Sequence, residues 1–260
     1  MINALRVAAT GMAAQQKNVD VLSNNIANIS TTSFKRSEAS FTDLMYSNQV
    51  AVGATTSAQG TLAPTGSQIG MGVRLGSTYR VQTQGPVEET GDTFSMAIQG
   101  RGFFEIQLPN GDRAYTRDGN FRVNQNGDIV NKDGYLLQPA INIPEDAVNI
   151  TITPRGQVSG LVNQQAVDFG EIELVMFQNE AGLETLGENL LRETEVSGAP
   201  VIGEPGEDGA GTLLQGFIER SNVDPVQEIT RLITAQRAYE LNSRVISTAD
   251  EMMSAVNQIR

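Results

Sequence analysis

The sequence predicts an α+β fold, in which an N-terminal and a C-terminal helix pair as a coiled coil and a central all-β domain lies between extended linkers. Apolar residues recur every seven positions near both ends of the chain. Turn dipeptides of the Asn-Gly and Asp-Gly type recur every seven or eight residues in the middle. The first period is typical of helices that pack on other helices, and the second is typical of short antiparallel strands.

Each terminal helix carries an apolar stripe that it cannot bury alone. We expect the two helices to pack on each other and on the helices of further copies. The alternative, that each packs only on the core of its own domain, remains open on pattern alone. The candidate self-assembly residues are Leu5, Met12, Val19, Leu22, Ile26, Leu232, Tyr239, Ile246 and Met253.

The segment Ser47–Gly72 is uncharged and rich in small residues, a composition typical of a flexible linker. The preceding apolar residues, from Phe34 to Met45, indicate a further turn or two of helix. A loop of this length inside a compact protein is more often functional or disordered than without a role. We therefore interpret it as an insert that packs between subunits through three anchoring residues: Leu62, Pro64 and Ile69.

The middle of the chain predicts a β-meander. Its strands are separated by Asn110-Gly111, Asp118-Gly119, Asn126-Gly127 and Asp133-Gly134, dipeptides that supply the positive φ of tight turns. The predicted strands are 103–108, 113–117, 120–125, 128–132, 135–138, 149–153, 158–161 and 171–177.

The final helix is expected to begin at Asp224-Pro225, since Asp is a good N-cap and Pro is tolerated at the first helical position. The predicted domains are a helical inner domain (1–29 and 222–260), a linker with the insert (30–72), a β domain (73–190) and an extended return segment (191–221).

Composition argues against several functions. With 30 acidic and 18 basic residues the net charge is −12, which is unfavourable for nucleic-acid binding. Cys and His are absent, so thiol chemistry, zinc sites and the commonest general base are excluded. No apolar run is long enough to cross a bilayer, and the N-terminus lacks the continuous apolar run of a signal peptide.

Three local patterns that could indicate chemistry fail on inspection. The run Asn124–Asp128 resembles the start of a calcium loop, but the twelfth position is Tyr135 where a bidentate Glu is needed. Gly100-Arg101-Gly102 lacks the third glycine of a dinucleotide fingerprint. The carboxylates at 88–89 and 204–208 have no aromatic sugar platform beside them. We expect no enzyme activity, cofactor or metal.

Seven stretches carry recognisable motifs: 22–28, 32–36, 97–104, 115–121, 219–224, 235–240 and 247–253. These stretches resemble the motifs of the bacterial flagellar rod and hook (axial) protein family, and together they cover nearly the whole chain in the family's order. Within the family, the length and the insert are most similar to members that build the distal part of the rod. A paralogous rod protein or a short hook protein is the alternative.

The resemblance implies a structural subunit that self-assembles into a rigid tube, with paired terminal helices inside and the β domain outside. The tube would transmit torque from motor to hook and pass exported subunits through its channel. The implied partners are further copies in a helical homopolymer, proximal rod proteins, the hook protein, the P-ring and L-ring subunits and the flagellar type III export apparatus. The implied location is the periplasmic rod of the basal body, reached without a cleaved signal peptide and without embedding in a membrane.

Overall fold

The computed structural model describes residues 2–50 and 65–258 and divides into two compact units. The helical unit takes its residues from 1–27, 37–79 and 224–260, and the β unit takes its residues from 28–36 and 80–223. The helical unit thus includes the described residues 37–50 and 65–72 of the predicted linker, and these residues contain the strands given below.

Two long helices confirm the predicted helical ends of the chain. They are α1, Ile2–Ala27, and α2, Pro225–Gln258. Asp224 caps α2 as predicted: its Oδ1 accepts the backbone N–H of Val226 at 2.9 Å and of Gln227 at 3.3 Å. These bonds satisfy donors that the first turn of a helix leaves without a partner.

The segment after α1 contains strands, so the predicted helical turns near Phe41 are wrong. The strands are β1, Ser37–Asp43, and β2, Tyr46–Val50, followed by β3, Ser67–Gly70, and β4, Val73–Arg80. β1 pairs with β4, and β2 pairs with β3. A helix of one or two turns has few internal hydrogen bonds, whereas pairing with β4 supplies partners for the backbone of β1.

The β unit consists of short strands, as expected. Those up to residue 138 are β5, Val87–Glu89; β6, Met96–Gln99; β7, Phe104–Gln107; β8, Arg113–Thr116; β9, Phe121–Val123; β10, Ile129–Asn131; and β11, Leu136–Gln138. The middle ones are β12, Ala147–Ile152; β13, Gln157–Val162; β14, Gln165–Glu171; and β15, Leu174–Met176. After the 3-10 turn Glu180–Gly182 come β16, Glu184–Gly187; β17, Leu190–Arg192; β18, Val201–Gly203; β19, Thr212–Gln215; and β20, Phe217–Glu219.

The main sheet has seven strands in the order β16-β17-β8-β7-β11-β10-β9, so the predicted meander of consecutive neighbours is wrong at one point. Gly111, Gly127 and Gly134 have positive φ angles and turn the chain as expected. Gly119 does not make a hairpin, because β8 and β9 are not neighbours. It passes so close to the chain at Met96 that a Cβ atom would lie 1.5 Å from the Met96 carbonyl oxygen. Here glycine permits a close approach of two backbones and not a turn.

The apolar core lies in the β unit. A main cluster surrounds Phe104 and Phe121, whose rings meet edge to face with centroids 5.1 Å apart. A smaller cluster contains Phe103, Tyr115 and Phe177. The predicted extended return segment supplies strands to this unit, since β18 pairs with β15, β19 with β6 and β20 with β5.

Candidate assembly site

The two terminal helices contact each other and run antiparallel. Near the C-terminal end of α1, Asn25 Nδ2 donates to Glu228 Oε2 at 3.1 Å. Fourteen residues earlier on α1, a Cβ atom added to Gly11 would lie 3.0 Å from Nδ2, the side-chain amide nitrogen, of Asn242. As the residue number falls along α1 it rises along α2, which fixes the antiparallel direction.

A buried polar group lies at one end of this helix contact. Asn25 and Glu228 are each only 1% exposed. Asn25 also bonds both backbone groups of Ser37, accepting at 2.8 Å and donating at 2.9 Å, so it joins α1 to the start of β1. Arg231 lies 3.3 Å from Glu228 and 3.2 Å from Glu38. This network satisfies the buried carboxylate and amide, and it favours one register of the helices over others.

Small and polar residues form most of the buried helix surface. Among the described side chains of the two helices, the buried ones are those of Ala8, Ala14, Leu22, Asn25, Glu228, Ala235 and Ala249. On α2 the residues toward α1 recur every seven positions: Glu228, Ala235, Asn242 and Ala249. The sequence did not predict this row as a helix contact, because none of its members is large and apolar. Its spacing of seven was the available signal, but a search for large apolar residues passes over it.

The predicted self-assembly residues are mostly not buried within the chain. Leu22 is 5% exposed, whereas Tyr239 is 42% exposed. Val19 and Tyr239 line one open groove with the polar residues Gln16, Gln236 and Glu240. The remaining members are half-buried: Leu5, Met12, Ile26, Leu232, Ile246 and Met253.

Helix α2 also exposes large apolar side chains away from α1. Val226 is 74% exposed, and Ile229 and Ile233 are 48% and 45% exposed. At about 100° per residue these three share one face, which we call the lower stripe.

Farther along α2, Leu241, Val245 and Met252 are 61%, 47% and 49% exposed. They share a second face, roughly 110° around the helix from the lower stripe, which we call the upper stripe. A single neighbouring helix covers one face of α2, so it cannot cover both stripes.

The candidate insert residues are only partly described. Ile69 lies in β3 opposite Ser47 of β2 and is 40% exposed. Leu62 and Pro64 lie outside the described residues. The two ends of the insert therefore form a strand pair where composition alone favoured a linker.

The run Asn124–Asp128 forms a turn. Asn124 Oδ1 accepts the backbone N–H of Asn126 at 2.8 Å and of Asp128 at 2.9 Å. Across residues 2–50 and 65–258, no group of three or more His, Cys, Asp or Glu side chains is arranged to hold a metal ion. In the same ranges, neither helix combines the length and the apolar character that crossing a membrane requires.

Comparison with known proteins gives consistent matches along the chain. Family models match at residues 5–35 (flagella basal body rod protein), 97–160 (flagellar hook protein FlgE/F/G D1 domain) and 214–259 (flagellar basal body rod FlgEFG protein, C-terminal). The flagellar basal-body rod protein FlgG of Caulobacter vibrioides is 52% identical over 261 residues, covering 100% of both chains. This chain belongs to the flagellar basal-body rod protein family. The FlgG proteins of Agrobacterium fabrum and Borreliella burgdorferi are 48% and 42% identical, over 99% and 100% of this chain and 99% of each relative.

Membership of the rod family makes this chain a structural protein of the flagellar basal body and not an enzyme. The three matched regions correspond to α1 with the residues that follow it, to the strands from β6 to β13, and to the end of β19 with β20 and α2. For a rod protein, the exposed apolar stripes of α2 are the natural candidate for the assembly surface.

Proposed function

We propose that this chain builds the distal rod as a rigid helical homopolymer that transmits torque from motor to hook and lets exported subunits pass through its channel. In this proposal α1 and α2 form a coiled coil in the inner layer of the tube.

The exposed apolar side chains of α2 support the proposal most directly. Burying a large aliphatic side chain contributes about 1.5–3 kcal/mol relative to leaving it in water. The lower and upper stripes gain only part of this within one chain, because their side chains are 45–74% exposed, but copies packed on two faces of α2 would bury both. Two different contact faces also favour an open-ended assembly, because heterologous contacts that do not close a ring extend into a helix.

The proposed location is the part of the rod that crosses the periplasm to the outer membrane. The proposed neighbours there are proximal rod proteins, the hook protein and the P-ring and L-ring subunits. The flagellar type III apparatus would export the chain without a cleaved signal peptide. These assignments rest on membership of the rod protein family.

The test is complementation of a strain that lacks its own distal rod subunit, with purified basal bodies labelled on this chain. We expect label along the rod between the proximal rod and the hook, and restored motility. Label confined to the proximal rod or to the hook would contradict the proposal.

The second candidate is a paralogous rod protein, and it is supported by one sequence similarity. The basal-body rod protein FlgF of Caulobacter vibrioides is 37% identical over 265 residues, covering 100% of this chain and 98% of that one. The FlgG protein of the same organism is 52% identical, and this difference decides for the distal rod. Complementation of a strain lacking only the FlgF-type subunit would reverse the assignment.

A further inference from the structure

A buried carboxylate in the β unit binds donors from three separate parts of the chain. Glu219, at the end of β20, is 1% exposed. Its Oε1 accepts from Lys35 Nζ at 2.5 Å and from the backbone N–H of Gly85 at 2.7 Å, and its Oε2 accepts from Arg117 Nε at 3.0 Å. Lys35 is 3% exposed and Arg117 is 5% exposed, so both ion pairs are shielded from water.

Both cations also donate to backbone carbonyl groups. Lys35 Nζ donates to the Thr83 carbonyl at 2.8 Å. Arg117 donates to the carbonyls of Gly100 at 2.8 Å and Gly102 at 3.2 Å. A polar cluster with this degree of satisfaction holds its members in one geometry.

Asn222 binds the same chain stretches a few residues from the carboxylate. Its Oδ1 accepts the backbone N–H of Arg36 at 2.8 Å, and its Nδ2 donates to the carbonyls of Val81 at 2.8 Å and Thr83 at 3.0 Å. Its own backbone N–H donates to the Phe34 carbonyl at 3.3 Å. We call Lys35, Arg117, Glu219 and Asn222 the Glu219 cluster.

The bonded stretches are the ones through which the chain enters and leaves the β unit. That unit consists of 28–36 and 80–223, so its chain ends are at residues 28, 36, 80 and 223. Three connecting stretches lie beside these ends and take part in the hydrogen bonds of the Glu219 cluster. They are residues 33–36, residues 81–85 and residues 219–222. Only Arg117 comes from the interior of the unit.

We propose that the Glu219 cluster is the joint that fixes these three connections to the β unit, so that torque passes through the subunit without the connections moving against one another. This inference rests on the proposed function as a drive shaft. Its members are positioning residues, because they hold the connecting stretches and form no part of the exposed stripes. An apolar cluster could supply equal stability, whereas directed ion pairs and amide bonds also fix geometry.

The informative variant is Lys35→Met, which removes one ion pair and leaves no buried group without a partner. Glu219 keeps its bonds to Arg117 and Gly85, and the Thr83 carbonyl keeps its bond from Asn222. A second variant, Asn222→Ala, removes the amide bonds at a position that water can reach. Lys132→Met is the matched control, because Lys132 belongs to the same unit but its side chain is 47% exposed. Its ion pair is long, with 4.0 Å between Lys132 Nζ and Asp118 Oδ2.

The measurement is the torsional compliance of assembled rods, read from the angular fluctuation of a bead on the hook of a motor whose rotor is locked. Each cluster variant should give rods of parental number and length with an angular variance raised roughly twofold, since one of the directed contacts that fix the connections is gone. The control should match the parent.

An angular variance equal to that of the parent in both cluster variants would contradict the proposal that the cluster acts as a joint. Folded variants that fail to form rods would also overturn it, because the cluster would then act in assembly. Failure of the parent chain itself to form rods would instead contradict the proposed function, so the two failures are distinguishable.

Discussion

At the scale of single residues, the most informative feature is a group of buried charges that the sequence does not indicate. Lys35, Arg117 and Glu219 are far apart in sequence and read as ordinary surface charges, yet all three are at least nine-tenths buried. Burial alone raises the pKa of Glu219, but the adjacent Arg117 guanidinium and Lys35 ammonium outweigh burial and hold the pKa below its usual 4.5. The carboxylate is therefore charged in the folded protein at neutral pH.

Replacing Glu219 with Gln should leave both cations buried without a counter-charge. We expect the free energy of unfolding of the β unit to fall by about 3–5 kcal/mol at pH 7, as for other buried pairs that lose one partner. Urea denaturation measures this. Glu88→Gln is the control, because Glu88 lies in the neighbouring strand and its ion pair with Arg220 is about half exposed on both sides. An equal loss in the two variants would contradict the burial argument.

The pH dependence has a defined sign. Because the pKa of Glu219 is lower in the folded than in the unfolded state, its contribution to stability is fully present above about pH 4.5 and is lost as the pH falls through the folded-state pKa. The parent should therefore lose stability below about pH 4.5 more steeply than Glu219→Gln. Parallel curves of unfolding free energy against pH for the two proteins would show that the shift is absent.

At the scale of elements, helix α2 is stabilised at its first turn by one side chain. Replacing Asp224 with Ala removes the acceptor for two backbone N–H groups and should cost about 1 kcal/mol of helix stability. Hydrogen exchange of the first turn of α2 measures this directly. Asp224→Asn keeps a good capping group and should exchange like the parent; equal loss in both variants would assign the effect to charge instead of capping.

The apolar residues of α2 lead to a second prediction at this scale. Replacing Ile246 with Asp would place an unpaired carboxylate in the assembled inner layer, at a cost of several kcal/mol. The β unit should keep its fold while polymerisation and motility fail. Ser247→Asp introduces the same charge at the adjacent exposed position and should assemble normally. Normal tubes from Ile246→Asp would show that this residue packs only within its own chain.

At the scale of the whole molecule, the two units differ in how much apolar surface they bury. The clusters around Phe104 and Tyr115 give the β unit its own core, whereas the described residues that the helical unit buries are mostly small or polar. Ordering each residue of α1 costs about 1–2 kcal/mol, which few buried large side chains offset. In a dilute monomer, limited proteolysis should therefore leave a core that begins after α1 and ends before Asp224. Protection of both helices in the monomer would contradict this.

The insert is the other prediction at this scale. A curved tube needs its subunits to slide past one another, and a small uncharged segment can fill the space between them at little desolvation cost. We expect that deleting residues 47–66 still permits assembly through the terminal helices but gives tubes that bend. Electron microscopy of tube curvature measures this. Straight tubes from the shortened chain would make the insert a linker only.

The sequence by itself determined the elements whose signal is local. The seven-residue periods predicted both helices, Asp224-Pro225 predicted where α2 begins, and three turn dipeptides marked real turns, because each signal depends on neighbours in the chain. The order of strands was decided by the tertiary structure: Gly119 permits a close approach to Met96 instead of a hairpin, and the partner of β1 comes from a distant stretch. The contact that small and polar residues form between the two helices could not be predicted from the sequence, and neither could the Glu219 cluster. The burial of a charge depends on which distant residues surround it. Periodicity shows which face of a helix needs a partner, but only packing decides which groups the chain itself supplies and which are left for its neighbours.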